Sequence, residues 1–156
     1  MANLKDIRIA GWLKDVNDNF DTLEPVSAGY HATKFTFDFD EKDAAESPAN
    51  NKAVGAHPLA AIVPKGAIVL GGYVDVIAAV TSGGNATIAL KLAADNDLLV
   101  ATAKSSLTLG ALLPMAAAVT TPFKLAADTP VTVTVGTDAL TAGVLDGYII
   151  WIQGEA

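Results

Sequence analysis

Any chemistry in this chain would rest on very few side chains. The 156 residues include two histidines, His31 and His57, five serines and no cysteine. Nucleophilic catalysis needs a Ser or Cys within reach of a base and an orienting carboxylate. None of Ser27, Ser47, Ser82, Ser105 and Ser106 lies in a G-x-S-x-G elbow, and both histidines read as strand-edge or loop residues. His31 is followed by Asp38 and Asp40, but the spacing fits no metal-ligand signature and H-E-x-x-H is absent. Asp95-Asn96-Asp97 offers oxygens of the kind Ca²⁺ takes, yet D-N-D ahead of a strand is also an ordinary turn, which is the favoured reading. The glycines at 66, 71 and 72 do not form a phosphate loop, because Tyr73 stands where the lysine is needed. Asp75 and Asp146 are flanked by strand residues and are expected on outward faces. A glycosidase would need such a pair to meet across a cleft. The expectation is a protein with no catalytic, cofactor or metal site.

Aromatic side chains remain as binding elements. Trp12, Phe20, Tyr30, Tyr73, Tyr148 and Trp151 are the candidate interface residues, since buried aromatics often dominate contact energies. Trp151 sits in a strand that is apolar on both sides, which favours core or subunit contact.

The elements that would position these residues are mostly strands. In KFTFDFD (34–40), Phe35, Phe37 and Phe39 share one face, with Thr36, Asp38 and Asp40 on the other. From about residue 59, strands alternate with turn residues. Residues 59–63 run into Pro64-Lys65-Gly66, and a long strand then spans 67–80, with Gly71-Gly72 marking a bulge. Strand 86–91 points Ile88 and Leu90 inward, 98–103 follows the Asp turn, and 122–126 precedes VTVTV, where Val131, Val133 and Val135 share a face. The last strand, 144–153, is apolar on both faces apart from Asp146 and Gln153, which predicts a place mid-sheet or at a subunit contact. Ala and Leu also allow a helix over 98–118, although strand and loop are favoured there. Leu4, Ile7, Leu13, Val16 and Phe20 have loosely helical spacing, so the N-terminal stretch reads as either a short helix or an extended arm.

Seven or eight short strands punctuated by turns predict an all-β fold, an antiparallel β-sandwich of jelly-roll-like type with an N-terminal arm. Charge density sets the expected division. Residues 1–52 hold six basic and ten acidic side chains, and the remaining 104 hold four and seven. Residues 1–56 are thus read as an arm with one strand and an acidic loop (DEKDAAESPANN, 40–51), and 57–156 as the sandwich. A chain this long can bury roughly 70% of its unfolded surface, enough for a core without disulfides. The net charge of −7 and the single arginine, Arg8, argue against a nucleic-acid partner, and none is expected. No run of about 18 apolar residues is present to cross a bilayer. MANLKDIRIAGW carries charges where a signal peptide needs its apolar stretch, so synthesis in the cytoplasm without secretion is expected.

The block IVPKGAIVLGGYVDV (62–76) resembles a pattern found in small virion proteins of tailed bacteriophages, in which an (I/L)PKGA strand pair with paired glycines opens a β domain. TIALKLAADNDLLVATA (87–103) and KLAADTPVTVTVGTDALTAGVLDGYIIWI (124–152) fit the same pattern, so the resemblance covers about 57–153. It implies a capsid decoration (cement) protein of the head exterior that binds the major capsid protein and ties capsomers together. It also implies a homo-oligomer, a trimer ahead of a dimer, made in the host cytoplasm. Apolar strands such as VTVTV and YIIWI carry few charges to guard them and would be covered by assembly. A receptor- or glycan-binding module of a head or tail fibre is the alternative, with Asp95, Asp97 and Tyr73 as its site.

Overall fold

The fold is that of a computed structural model, which describes residues 29–40, 51–115 and 120–154. Nine strands run in chain order: β1 (His31–Asp38), β2 (Gly55–Val63), β3 (Ala67–Ser82), β4 (Thr87–Lys91), β5 (Leu99–Ala103), β6 (Leu112–Pro114), β7 (Phe123–Lys124), β8 (Thr129–Gly136) and β9 (Leu140–Gln153). One 3₁₀ turn, Lys104–Ser106, follows β5. The first sheet has the order β1-β9-β3-β6, with β7 also on β3, and the second has the order β2-β8-β4-β5. All pairings are antiparallel. The chain crosses between the sheets at β1–β2, β2–β3, β3–β4, β5–β6, β7–β8 and β8–β9, as expected for a jelly roll.

Alternation in the sequence explains which side of each strand faces in. Val131, Val133 and Val135 on β8 are at most 1% exposed, and Val133 and Val135 lie opposite Leu90 and Ile88 of β4 across the ladder. β-Branched side chains suit that half-buried pleat. Opposite them, Val74 and Val76 of β3 and Leu145 and Ile149 of β9 close the core from the first sheet. β9 lies between β1 and β3, so the two-sided apolar strand is indeed mid-sheet. Its close fit to β1 depends on Gly147, whose missing Cβ leaves room for the Phe35 ring.

The paired glycines in β3 also sit where expected. Register against β9 slips between Val69 and Gly71, and Gly72 has φ +154°. A Cβ on Gly72 would run into the Tyr148 carbonyl and lie 2.8 Å from Met115 Sδ. The described part of 98–118 forms strand, 3₁₀ turn and strand rather than a helix.

The strand assigned to the N-terminal arm is part of the sandwich. β1 pairs with β9 over eight residues, and Phe35 and Phe37 are 2% and 0% exposed in the shared core. The drop in charge density near residue 52 does not mark a break in the core of the described residues, and position 57 falls inside β2. The rest of that segment, 1–28 and 41–50, lies outside the described residues. So does the choice there between helix and extended arm.

Candidate functional site

Most polar groups that might have carried chemistry are occupied in holding loops. Asp97 accepts the backbone N–H groups of Leu92, Ala93 and Ala94 at 2.8, 2.8 and 2.9 Å. Asp95 pairs with Lys91 at 2.7 Å. The Asp turn therefore clamps the β4–β5 connection. Asp128 and Asp138 act likewise, each accepting one N–H at 2.7 Å, from Lys65 and Asn85. Among the described residues, no group of three or more His, Asp or Glu is placed to hold a metal.

Both histidines have structural surroundings. His31 stacks on Trp151, with ring centroids 4.4 Å apart. His57 is buried, with Nε2 2.8 Å from the Ala53 carbonyl oxygen. Ser82 donates its hydroxyl to the Gly84 carbonyl in the β3–β4 turn. Ser105 and Ser106 lie on the exposed 3₁₀ turn, and Ser27 and Ser47 lie outside the described residues.

Of the six aromatic candidates, Trp12 and Phe20 lie outside the described residues. Tyr30 precedes β1 and is 77% exposed. Trp151 packs against the core and donates its Nε1–H to the Thr33 hydroxyl at 3.0 Å. Tyr73 and Tyr148 come together on the outward face of the first sheet, their rings 5.4 Å apart.

That outward face is where charge and aromatic surface coincide. Tyr73 is directly opposite Tyr148, and Asp75 is directly opposite Asp146. On the far side of β9, Lys34 is opposite Tyr148 and Thr36 opposite Asp146. On the far side of β3, Pro114 is opposite Tyr73 and Leu112 opposite Asp75. Two rows thus cross four strands, Lys34-Tyr148-Tyr73-Pro114 and Thr36-Asp146-Asp75-Leu112. The expected outward placement of both aspartates holds, and they meet side by side on an open face, not across a cleft.

The two aspartates differ in their partners. Asp146 accepts the Thr36 hydroxyl at 2.6 Å and pairs with Lys34 at 3.1 Å. Its carboxyl is held below the ordinary carboxylate range, mainly by the Thr36 hydrogen bond; partial burial opposes the shift and Lys34 adds to it. The Lys34 ammonium is shifted upward, chiefly by its hydrogen bond to Asp146, and lies 6.0 Å from the Tyr148 ring centroid. Sequence reading had no access to this register. The signal available to it was the reversed pair Tyr73-Val74-Asp75 and Asp146-Gly147-Tyr148, which antiparallel pairing brings into line.

No protein-family model and no curated protein sequence matches the chain. Solved structures share its fold. A chain in the acid-stable capsid structure of Helicobacter pylori bacteriophage KHP30 aligns with TM-score 0.55 and 12% identity, over 81% of this chain and 89% of that one. A chain in the capsid of Ralstonia phage GP4 aligns with TM-score 0.54 and 18% identity, over 85% and 90%. A chain in the capsid asymmetric unit of cyanophage Pam1 aligns with TM-score 0.53 and 17% identity, over 80% and 85%. The chain thus has the fold of chains found in phage capsids. Because each partner is covered nearly end to end, this sandwich is most of each matched chain.

Proposed function

We propose that the protein is a structural component of a phage virion. Within that role it is a decoration (cement) protein that binds the major capsid protein on the outside of the head and stabilises contacts between capsomers. The observation that carries this reading is the shared fold with three capsid chains of similar length, each spanned almost completely. Fold alone does not fix function, but two features agree with the assignment. The sequence pattern over 57–153 resembles small tailed-phage virion proteins, and Asp97, Asp128 and Asp138 tie loops by accepting backbone N–H groups. Repeated copies on a shell would gain affinity through multivalency even where each contact is weak. A homotrimer is the proposed unit, with a homodimer next.

The test is to add purified protein to undecorated shells assembled from the capsid protein of the same virus. Co-sedimentation at fixed stoichiometry and a higher shell melting temperature are expected. Shells that sediment without the protein would remove the reading.

The glycan-binding alternative loses its expected site, because Asp97 is committed to backbone N–H groups and lies with Asp95 in the β4–β5 loop, whereas Tyr73 is on the first sheet. The adjacent Tyr73 and Tyr148 rings are what still favour it. A glycan array with and without Ca²⁺ separates the two readings, since the decoration reading expects no sugar to bind.

A further inference from the structure

The outward face of the first sheet contains the same small constellation twice, and only one copy is complete. On β9, Asp146 and Tyr148 are two residues apart on one face; on β3, Tyr73 and Asp75 are likewise. Antiparallel pairing sets tyrosine beside tyrosine and aspartate beside aspartate. The β9 copy is filled by its neighbour β1, which brings Lys34 to the Asp146 carboxylate and over the Tyr148 ring. Thr36 completes it with a hydroxyl donor. The neighbour of the β3 copy is β6, which supplies Pro114 and Leu112 at the equivalent positions. Neither brings a charge or a donor. Among the described residues, Asp75 has no ion pair and no side-chain hydrogen bond, although like charges directly opposite in a sheet are unfavourable.

Apolar surface lies beside the empty copy. Leu112 is 65% exposed, and Ile77, two residues along β3 from Asp75, is 47% exposed. The half of the face beside edge strand β6 thus offers a carboxylate and an aromatic ring on β3 next to uncovered aliphatic side chains. A lone ammonium or guanidinium would answer the first two, and apolar neighbours on the same partner would cover the rest.

We infer that Tyr73 and Asp75 form a receptor for a lysine or arginine side chain of a protein partner, seated as Lys34 is seated on Tyr148 and Asp146, with apolar partner residues on Leu112 and Ile77. Charge complementarity selects the occupant. The chain carries −7 overall, and the unmatched charge on this face is a carboxylate. Naming the shell protein as the source of that cation rests on the proposed function; the cation receptor itself does not.

Two measurements keep these apart. The first is an NMR titration of the full chain with acetyl-Leu-Arg-Leu-amide and with its citrulline counterpart, which keeps the shape and loses the charge. Saturable shifts at Tyr73 and Leu112 are expected with the arginine peptide alone, and Asp75→Asn should abolish them. Equal shifts with both peptides, or none, overturn the receptor. The second is shell co-sedimentation, in which Asp75→Asn should weaken binding about tenfold, 1.4 kcal/mol at 25 °C. Pro114→Lys should weaken it as well, by filling the site from β6, while Asp95→Asn should bind as wild type. Shell binding unaffected by both site variants overturns the receptor as the docking point and leaves the decoration role standing. If shells do not bind the wild-type protein, the decoration role falls and the peptide titration alone decides the receptor.

Discussion

The two outward faces of the sandwich are built from different materials. The second sheet shows solvent Ala56, Thr134, Thr87 and Ala101, which line a shallow trough of about 380 Å³. Its charged residues, Lys91 and Asp95, are paired with each other. The first sheet shows two tyrosines, an ion-paired aspartate and an unmatched one. Both faces cover the same apolar core and both satisfy strand alternation, so neither packing nor propensity requires the difference. What separates them is unmet chemistry. The second sheet also exposes Ile62 and Val100 but is electrically closed, whereas the first sets its exposed Leu112 and Ile77 beside a carboxylate that nothing in the described chain matches.

The largest expected effect removes the common support of both faces. Phe37→Ala, at a position with no exposure, should cost about 3–5 kcal/mol, read as a shift in the denaturant midpoint. A smaller loss would show that the sheets collapse onto the gap. Next comes Asp97→Ala, which releases three N–H groups at the end of the second sheet. It should cost about 1–3 kcal/mol, with faster amide exchange at Leu92, Ala93 and Ala94 and no change at Tyr73.

Asp75→Asn sharpens the comparison, because its sign is the opposite. Relieving the like-charge contact with Asp146 should raise stability by about 0.2–1 kcal/mol. A fall in stability would show that Asp75 is already matched within the chain. On the second sheet, Ala101→Lys should change stability by no more than about 0.5 kcal/mol and leave shell binding intact. If it abolished binding, the functional face would be the second one.

The smallest effect is in pH dependence. Asp146 is shifted below its ordinary value of 3.8, so its contribution is present above that value and is lost as pH falls through the folded pKa. Lys34 is shifted above 10.5, so its contribution is present below that value and is lost as pH rises through the folded pKa. Stability from this pair is therefore level between the two limits. Thr36→Val should move the acid limb to higher pH by removing the main cause of the Asp146 shift, which urea melts across the acid range would detect.

Local alternation made most of the strands legible in the sequence. VTVTV, the Ile88 and Leu90 pattern and the Gly71-Gly72 bulge all report on nearest neighbours along the chain. β6 was harder, because a strand of three residues carries no period, whereas β7 falls within the expected strand 122–126. The membership of β1 in the sandwich was hidden by charge on its outward side, although Phe35 and Phe37 already pointed to a core. The cation receptor was not legible as a site. Its unmatched state shows only in the pairing of β3 with β9 on one side and β6 on the other, a register that local pattern does not specify.

The pairing of β1 with β9 also bears on synthesis. The first sheet cannot close until its central strand leaves the ribosome, about a hundred residues after its edge strand. Until then β1 and β3 lack the partner that lies between them, and non-local pairing of this kind is slow. Both Asp146 and Tyr148 arrive with that last strand. A chain stalled before β9 would carry Tyr73 and Asp75 on an unfinished sheet, so the face proposed for docking takes shape only once β9 has paired with β3.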